Sequence, residues 1–106
     1  MEKLCIVYIT AKDKEEALAI GEKLVSMKLA ACANAVDGVT SVFRWEGRME
    51  RSSEAILLVK TREKLLGEIK SVVRKLHSYS CPCIEVIPVI DADKEYAEWV
   101  IAETTS

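Results

Sequence analysis

Residues 31–61 read ACANAVDGVTSVFRWEGRMERSSEAILLVKT, and this stretch decides the fold. ACANAV and VTSVFRW are β-rich runs separated by Asp37-Gly38, which suits a bend or bulge within one long strand. Glu46-Gly47-Arg48 turns the chain, with Gly47 supplying the positive φ that a tight turn needs. The segment Arg48 to Thr61 returns as the second arm of a hairpin. Each arm is long for so small a protein, and arms that outrun their own core usually lean on another subunit. Val42, Phe43 and Trp45 on the outgoing arm are the residues expected to meet it.

Working outward, KLCIVYIT (residues 3–10) is apolar on both alternating faces, as in a central strand. Asp13 followed by Glu16 reads as an N-cap box. Ala17, Leu18, Gly21, Leu24 and Val25 then recur at helical spacing, predicting a first helix to about Met27 or Lys28. A second helix is predicted over Arg62 to Leu76, with Leu65, Leu66, Ile69, Val72, Val73 and Leu76 on one stripe. IEVIPVI follows as a strand to about Val89; Pro82 and Pro88 bracket it and fit a strand start and a sheet edge. Asp91-Ala92-Asp93 is read as the cap of a last helix, Lys94 to Glu103, carrying Tyr96, Trp99 and Val100 inward. The order βαββαβα predicts an α+β, ferredoxin-like sandwich. Its helices cover one sheet face. The other face, also apolar, is left for a second subunit.

The chain has 106 residues, which suits a single domain spanning 1–106 with one real core. Half the residues are hydrophobic, a surplus that a subunit interface would hide. Fifteen basic and seventeen acidic residues give a net charge of -2, and no basic stripe interleaved with aromatics argues for nucleic acid. Apolar runs such as AILLV (residues 55–59) are too short to cross a bilayer. The N-terminus enters a strand without a cleavage pattern, so a cytoplasmic protein is expected. Of the four cysteines, Cys5 and Cys32 sit among apolar residues and are read as small buried hydrophobes.

The other two cysteines belong to HSYSCPCIEV (residues 77–86), which holds the only histidine of the chain. In extended backbone Cys81 and Cys83 point to one face, with Cα atoms roughly 6.5 Å apart. Two thiolates with the imidazole of His77 would suit Cu(I) or Zn(II), a fourth ligand coming from Glu85 or a neighbouring subunit. Three other readings stay open. The cysteines fill the core while His77 caps the second helix; the two thiols form a strained, easily reduced disulfide; or a cysteine is a nucleophile with His77 as its base, which needs further groups that nothing signposts. Trp45 and Trp99 read first as packing residues. Lys60, at the end of an apolar strand, suits either a cleft that attracts an anion or a solvated strand end.

Together these residues resemble the CutA divalent-cation-tolerance family. The resemblance is carried by YITAKDKEEA (8–17), KLAACANAVDGVTSVFRWEGR (28–48), ILLVKT (56–61), HSY, IPV and YAEWV, in order and over essentially the whole chain. It implies a ferredoxin-like subunit in a tight homotrimer, with sheets meeting edge to edge and hairpin arms crossing neighbours, similar to the PII signalling trimers. It also implies tolerance of copper and other divalent cations, copper binding in some members and no enzymatic activity. The family's inter-subunit clefts are lined by residues matching Trp45, Lys60, His77 and Tyr79. Where the family commonly reads His-Pro-Tyr-Glu-x-Pro-Glu, this chain departs, with Ser78, Ser80, Cys81 and Cys83. Of the copper ligands described in some members, the positions here hold Ile9, Leu76 and His77, and only His77 carries over. The expected function is therefore a divalent-metal tolerance or response protein, a homotrimer that binds copper or another soft metal ion through His77, Cys81 and Cys83. The alternative is a PII-like signalling or scaffold trimer that takes a small anion or a protein partner in clefts lined by Trp45, Lys60 and Tyr79.

Overall fold

Strand β1, Leu4–Ala11, alternates half-buried and buried residues without a break, the pattern of a strand whose two faces meet different surroundings. A computed structural model describes residues 2–105 and places β1 inside the sheet. The elements are β1, α1 (Lys14–Ser26), β2 (Cys32–Trp45), β3 (Arg48–Arg62), a 3₁₀ turn (Glu63–Leu65), α2 (Leu66–Leu76), β4 (Ile84–Pro88) and α3 (Lys94–Ala102). The four strands are antiparallel in the order β2-β3-β1-β4, the predicted ferredoxin-like α+β arrangement.

Register assigns the faces. Val7 opposes Val59, and Ile9 opposes Leu57; these four are buried against α1 and α2 with Ala17, Ile20, Leu24, Ile69 and Val73. Helix α1 approaches so closely that a Cβ on Gly21 would lie 3.1 Å from the Ala33 Cβ and 3.2 Å from Leu57. On the opposite face Ile6, Tyr8, Ile56 and Leu58 stay half-buried, while Val36 and Ile87 are exposed.

The hairpin forms as its turn residues require. Asp37-Gly38 shifts the register between Val36 and Val39, with Gly38 at φ 74°. Glu46 and Gly47 take φ 50° and 79° between the paired Trp45 and Arg48, the two-residue turn that matches strand twist. With arms of 14 and 15 residues against 8 in β1, the hairpin outruns the core, and the molecule measures 45 × 25 × 22 Å. Val42 and Trp45 are 62% and 50% exposed near its tip.

Several expectations are corrected. Arg62 does not open the second helix but ends β3. Its buried guanidinium bonds Glu2 at 3.1 Å and the carbonyls of Thr104 and Thr105, clasping both ends of the chain, so the helix proper begins only after the 3₁₀ turn. Leu76 lies outside the buried stripe of α2 and is exposed, as are Leu18 and Val25 of α1. In α3 only Val100 is buried, and Asp93 makes no side-chain cap. Tyr96 and Trp99 instead pack on each other at 5.7 Å and stay exposed, leaving Val100 as the buried residue of this nine-residue helix. Cys5 is buried as read, with burial and then the Glu63 charge pushing its thiol up to about 11. Cys32 is only half-buried, because register pairs it with Lys60 on the uncovered face.

Candidate functional site

The site is built where α2 ends. His77 is the C-cap of α2, donating its backbone N–H to the Val73 carbonyl at 2.9 Å and then turning extended. Its ring is sealed from solvent. Nδ1 accepts the backbone N–H of Tyr79 at 3.1 Å, so the ring proton sits on Nε2, which donates to the Thr10 carbonyl at 2.7 Å. Both nitrogens are therefore used inside the chain, and the imidazole ties the loop after α2 to the end of β1.

Glu16 ties the same loop to α1. Asp13 accepts the Glu16 N–H at 2.8 Å as predicted for the helix cap, while the Glu16 carboxylate accepts the N–H of Lys12 at 3.0 Å and of Ser78 at 2.9 Å. Burial alone would raise its carboxyl, but the hydrogen bonds from Lys12 and Ser78 outweigh it and hold the carboxyl below its ordinary value.

The loop so held places Tyr79 over β3. Its hydroxyl donates to Glu54 Oε2 at 2.6 Å, and its ring lies 4.8 Å from that of His77. Burial, then the bond to Glu54, pushes the Tyr79 hydroxyl well above the ordinary phenol value. Cys83 follows at the start of β4, where its thiol meets a Glu85 carboxylate oxygen at 3.5 Å. Burial, then Glu85, raises that thiol, with Thr10 opposing; the free thiolate is disfavoured there. Cys81 is exposed.

These groups face a cavity of about 540 Å³ on the uncovered side of the sheet, between the hairpin and the loop after α2. Of the residues singled out from the sequence, Trp45, Tyr79, Cys81 and Cys83 all line it. His77 stands behind Tyr79 as a support. Lys60 is elsewhere, its ammonium 6.0 Å from the centre of the Tyr96 ring. Sequence reading missed Glu50 and Glu54, which line the cavity together with Phe43. The period-2 spacing of Glu50, Ser52 and Glu54 was the available signal, since it puts all three on one strand face, but nothing local says that this face is enclosed. The lining contains no lysine, arginine or histidine, so it favours positive charge. Among the described residues no three His, Cys, Asp or Glu side chains converge as a ready metal site.

Comparison with known proteins agrees with this fold throughout. The family described as CutA1 divalent ion tolerance protein matches residues 5–103. The divalent-cation tolerance protein CutA of Archaeoglobus fulgidus is 42% identical over 94 residues, covering 89% of this chain and 91% of its own length. The crystal structure of CutA1 from Oryza sativa superposes with a TM-score of 0.95 at 35% identity, covering 98% of this chain and 95% of that one. The Thermus thermophilus divalent cation tolerance protein superposes at 0.93 with 38% identity, over 99% and 100% of the two chains. With the match running from β1 through α3 in both sequence and structure, the chain belongs to the CutA1 divalent ion tolerance family.

Proposed function

We propose that this chain serves divalent-metal tolerance as a cytoplasmic homotrimer that binds a soft or borderline cation, copper-type, rather than turning over a substrate. The observation carrying the reading is that Cys81 and Cys83 share one cavity with Glu50 and Glu54 and with no basic side chain. Two thiols suffice for Cu(I), and Zn(II) would draw further oxygen ligands from the carboxylates or a neighbour. His77 acts by holding the loop; ligating a metal itself would require it to release the Tyr79 N–H or the Thr10 carbonyl. The uncovered apolar face and the protruding hairpin support the homotrimer. Among the described residues no helix is long and apolar enough to cross a membrane.

The alternative, a PII-like trimer binding a small anion, finds no support in this cavity, because its charged residues are both acidic and Lys60 lies outside it. Titration of Cu(I) and Zn(II) into the reduced chain, beside a Cys81→Ser/Cys83→Ser variant, tests the metal reading. Tight binding by the parent alone is expected. Identical binding by both, or by neither, rejects the cysteine site. Light scattering tests the trimer, and a monomer at micromolar concentration would remove it.

A further inference from the structure

Residues 78–83 join α2 to β4 and carry both Cys81 and Cys83. Among the described residues this loop makes no backbone–backbone hydrogen bond, so side chains hold it. Two of its amides are bonded. Tyr79 donates to Nδ1 of His77, its own near neighbour, at 3.1 Å, and Ser78 donates to Oε2 of Glu16, 62 residues away, at 2.9 Å. The Tyr79 hydroxyl also reaches Glu54, but only from the end of a long side chain. Among the described residues Glu16 is therefore the one group from another element that grips the backbone of this loop.

The grip is prepared by the start of α1. Glu16 stands three residues after the Asp13 cap, and a glutamate there ordinarily serves backbone N–H groups at the helix start. Oε1 does so, accepting from Lys12 at 3.0 Å, while Asp13 holds the Glu16 N–H at 2.8 Å. Oε2 is thereby left to reach out of the helix to Ser78. The Glu16 side chain is 9% exposed, and shielding from water strengthens a charge-assisted bond. All these contacts are made within one chain and do not depend on what covers the open face of the sheet.

We infer that Glu16 is the positioning residue of the cysteine loop: its carboxylate fixes the backbone at Ser78 and so presents Cys81 and Cys83 to a cation in a preorganised arrangement. Without that hold the metal itself would have to order the loop, and the ordering would be subtracted from affinity. Groups that orient ligands without touching the metal commonly account for about tenfold to a hundredfold in affinity. The role toward a cation rests on the metal reading above, whereas the hold on the loop rests on these contacts alone.

The test follows amide exchange by NMR, and Cu(I) affinity by competition with bicinchoninate, in the reduced full-length chain. Glu16→Gln keeps the shape of the side chain but turns an NH2 group on one of its two N–H partners. The Ser78 and Tyr79 amides should then exchange about tenfold faster, with the core amides of β1 and β3 unchanged, and Cu(I) affinity should fall about tenfold. Gly21→Ala strains the same helix against Ala33 and Leu57; it should lose stability yet keep both the loop protection and the Cu(I) affinity. A Glu16→Gln chain with parental Cu(I) affinity overturns the proposal. So does unchanged exchange at Ser78 and Tyr79, or an equal loss of affinity in Gly21→Ala, which would reduce Glu16 to a general stabiliser. A parent that fails to bind Cu(I) removes the metal reading and with it the role of Glu16 toward a cation, and the exchange result alone then decides whether the hold on the loop exists.

Discussion

Tyr79 donates its hydroxyl to Glu54 Oε2 at 2.6 Å, joining the loop after α2 to the middle of β3 beside the cavity that both residues line. One bond thus couples the shape of the cavity to the stability of the fold. Tyr79→Phe leaves the buried carboxylate without its donor and should cost about 1 to 3 kcal/mol, read as a lowered denaturation midpoint at unchanged m-value. An unaltered midpoint would show that the bond contributes nothing net.

His77 should be seen spectroscopically as the neutral tautomer with its proton on Nε2, because Nδ1 accepts from Tyr79 and Nε2 donates to Thr10. Imidazole 15N shifts at neutral pH check this directly, and a proton on Nδ1 would contradict it. His77→Ala removes both bonds and should destabilise by about 2 to 4 kcal/mol.

The acid limb of stability should depend on Glu16. Its folded carboxyl lies below the ordinary 4.5, so the unfolded chain takes up that proton first as pH falls. Its contribution is full above the ordinary value and is lost as pH drops through the lower, folded one. Glu16→Gln should flatten the stability profile in that acid range, and a profile identical to the parent's would refute the assignment. Tyr79 works in the opposite sense. Its raised hydroxyl contributes fully below the ordinary phenol value of 10.0 and loses that contribution as pH rises through the folded one.

The thiols should react in the order of their surroundings. Cys81 is exposed, Cys83 is raised by burial and Glu85, and Cys5 is buried with its thiol near 11. Iodoacetamide followed by mass mapping should therefore modify Cys81 first, Cys83 more slowly and Cys5 only on unfolding. If metal binds at the pair, affinity should rise with pH as the thiols surrender protons. Modification of Cys5 ahead of Cys83 would falsify the ordering.

Two glycines should answer an alanine scan with opposite signs. At Gly21 a new Cβ meets the Ala33 Cβ at 3.1 Å and Leu57 at 3.2 Å, so Gly21→Ala should destabilise by about 1 to 3 kcal/mol. At Gly67, in the first turn of α2, a Cβ meets nothing within 4 Å, so Gly67→Ala should stabilise by about 0.5 to 1 kcal/mol. Thermal melts of the two variants decide it.

What the sequence by itself determined is whatever depends on near neighbours along the chain. Apolar residues on both faces made β1 a central strand, Asp13 and Glu16 marked the start of α1, and Glu46-Gly47 and Asp37-Gly38 set the turn and the bulge of the hairpin. Those local signals were enough to order the elements and so to reach the ferredoxin-like fold. HSYSCPCIEV looked like a self-contained cluster by the same kind of reading, but two of its side chains find their partners far along the chain. Its histidine is turned inward to Thr10, 67 residues away, and its tyrosine reaches Glu54, 25 residues away. Only the tertiary structure decided these pairings, because they follow from strand register and from the packing of α2 on the sheet. The same holds for the exposure of Tyr96 and Trp99 and for the burial of Arg62. An acidic residue on a strand looks solvated until another element closes over it, and Glu54 became buried only when the loop after α2 brought the Tyr79 hydroxyl across β3.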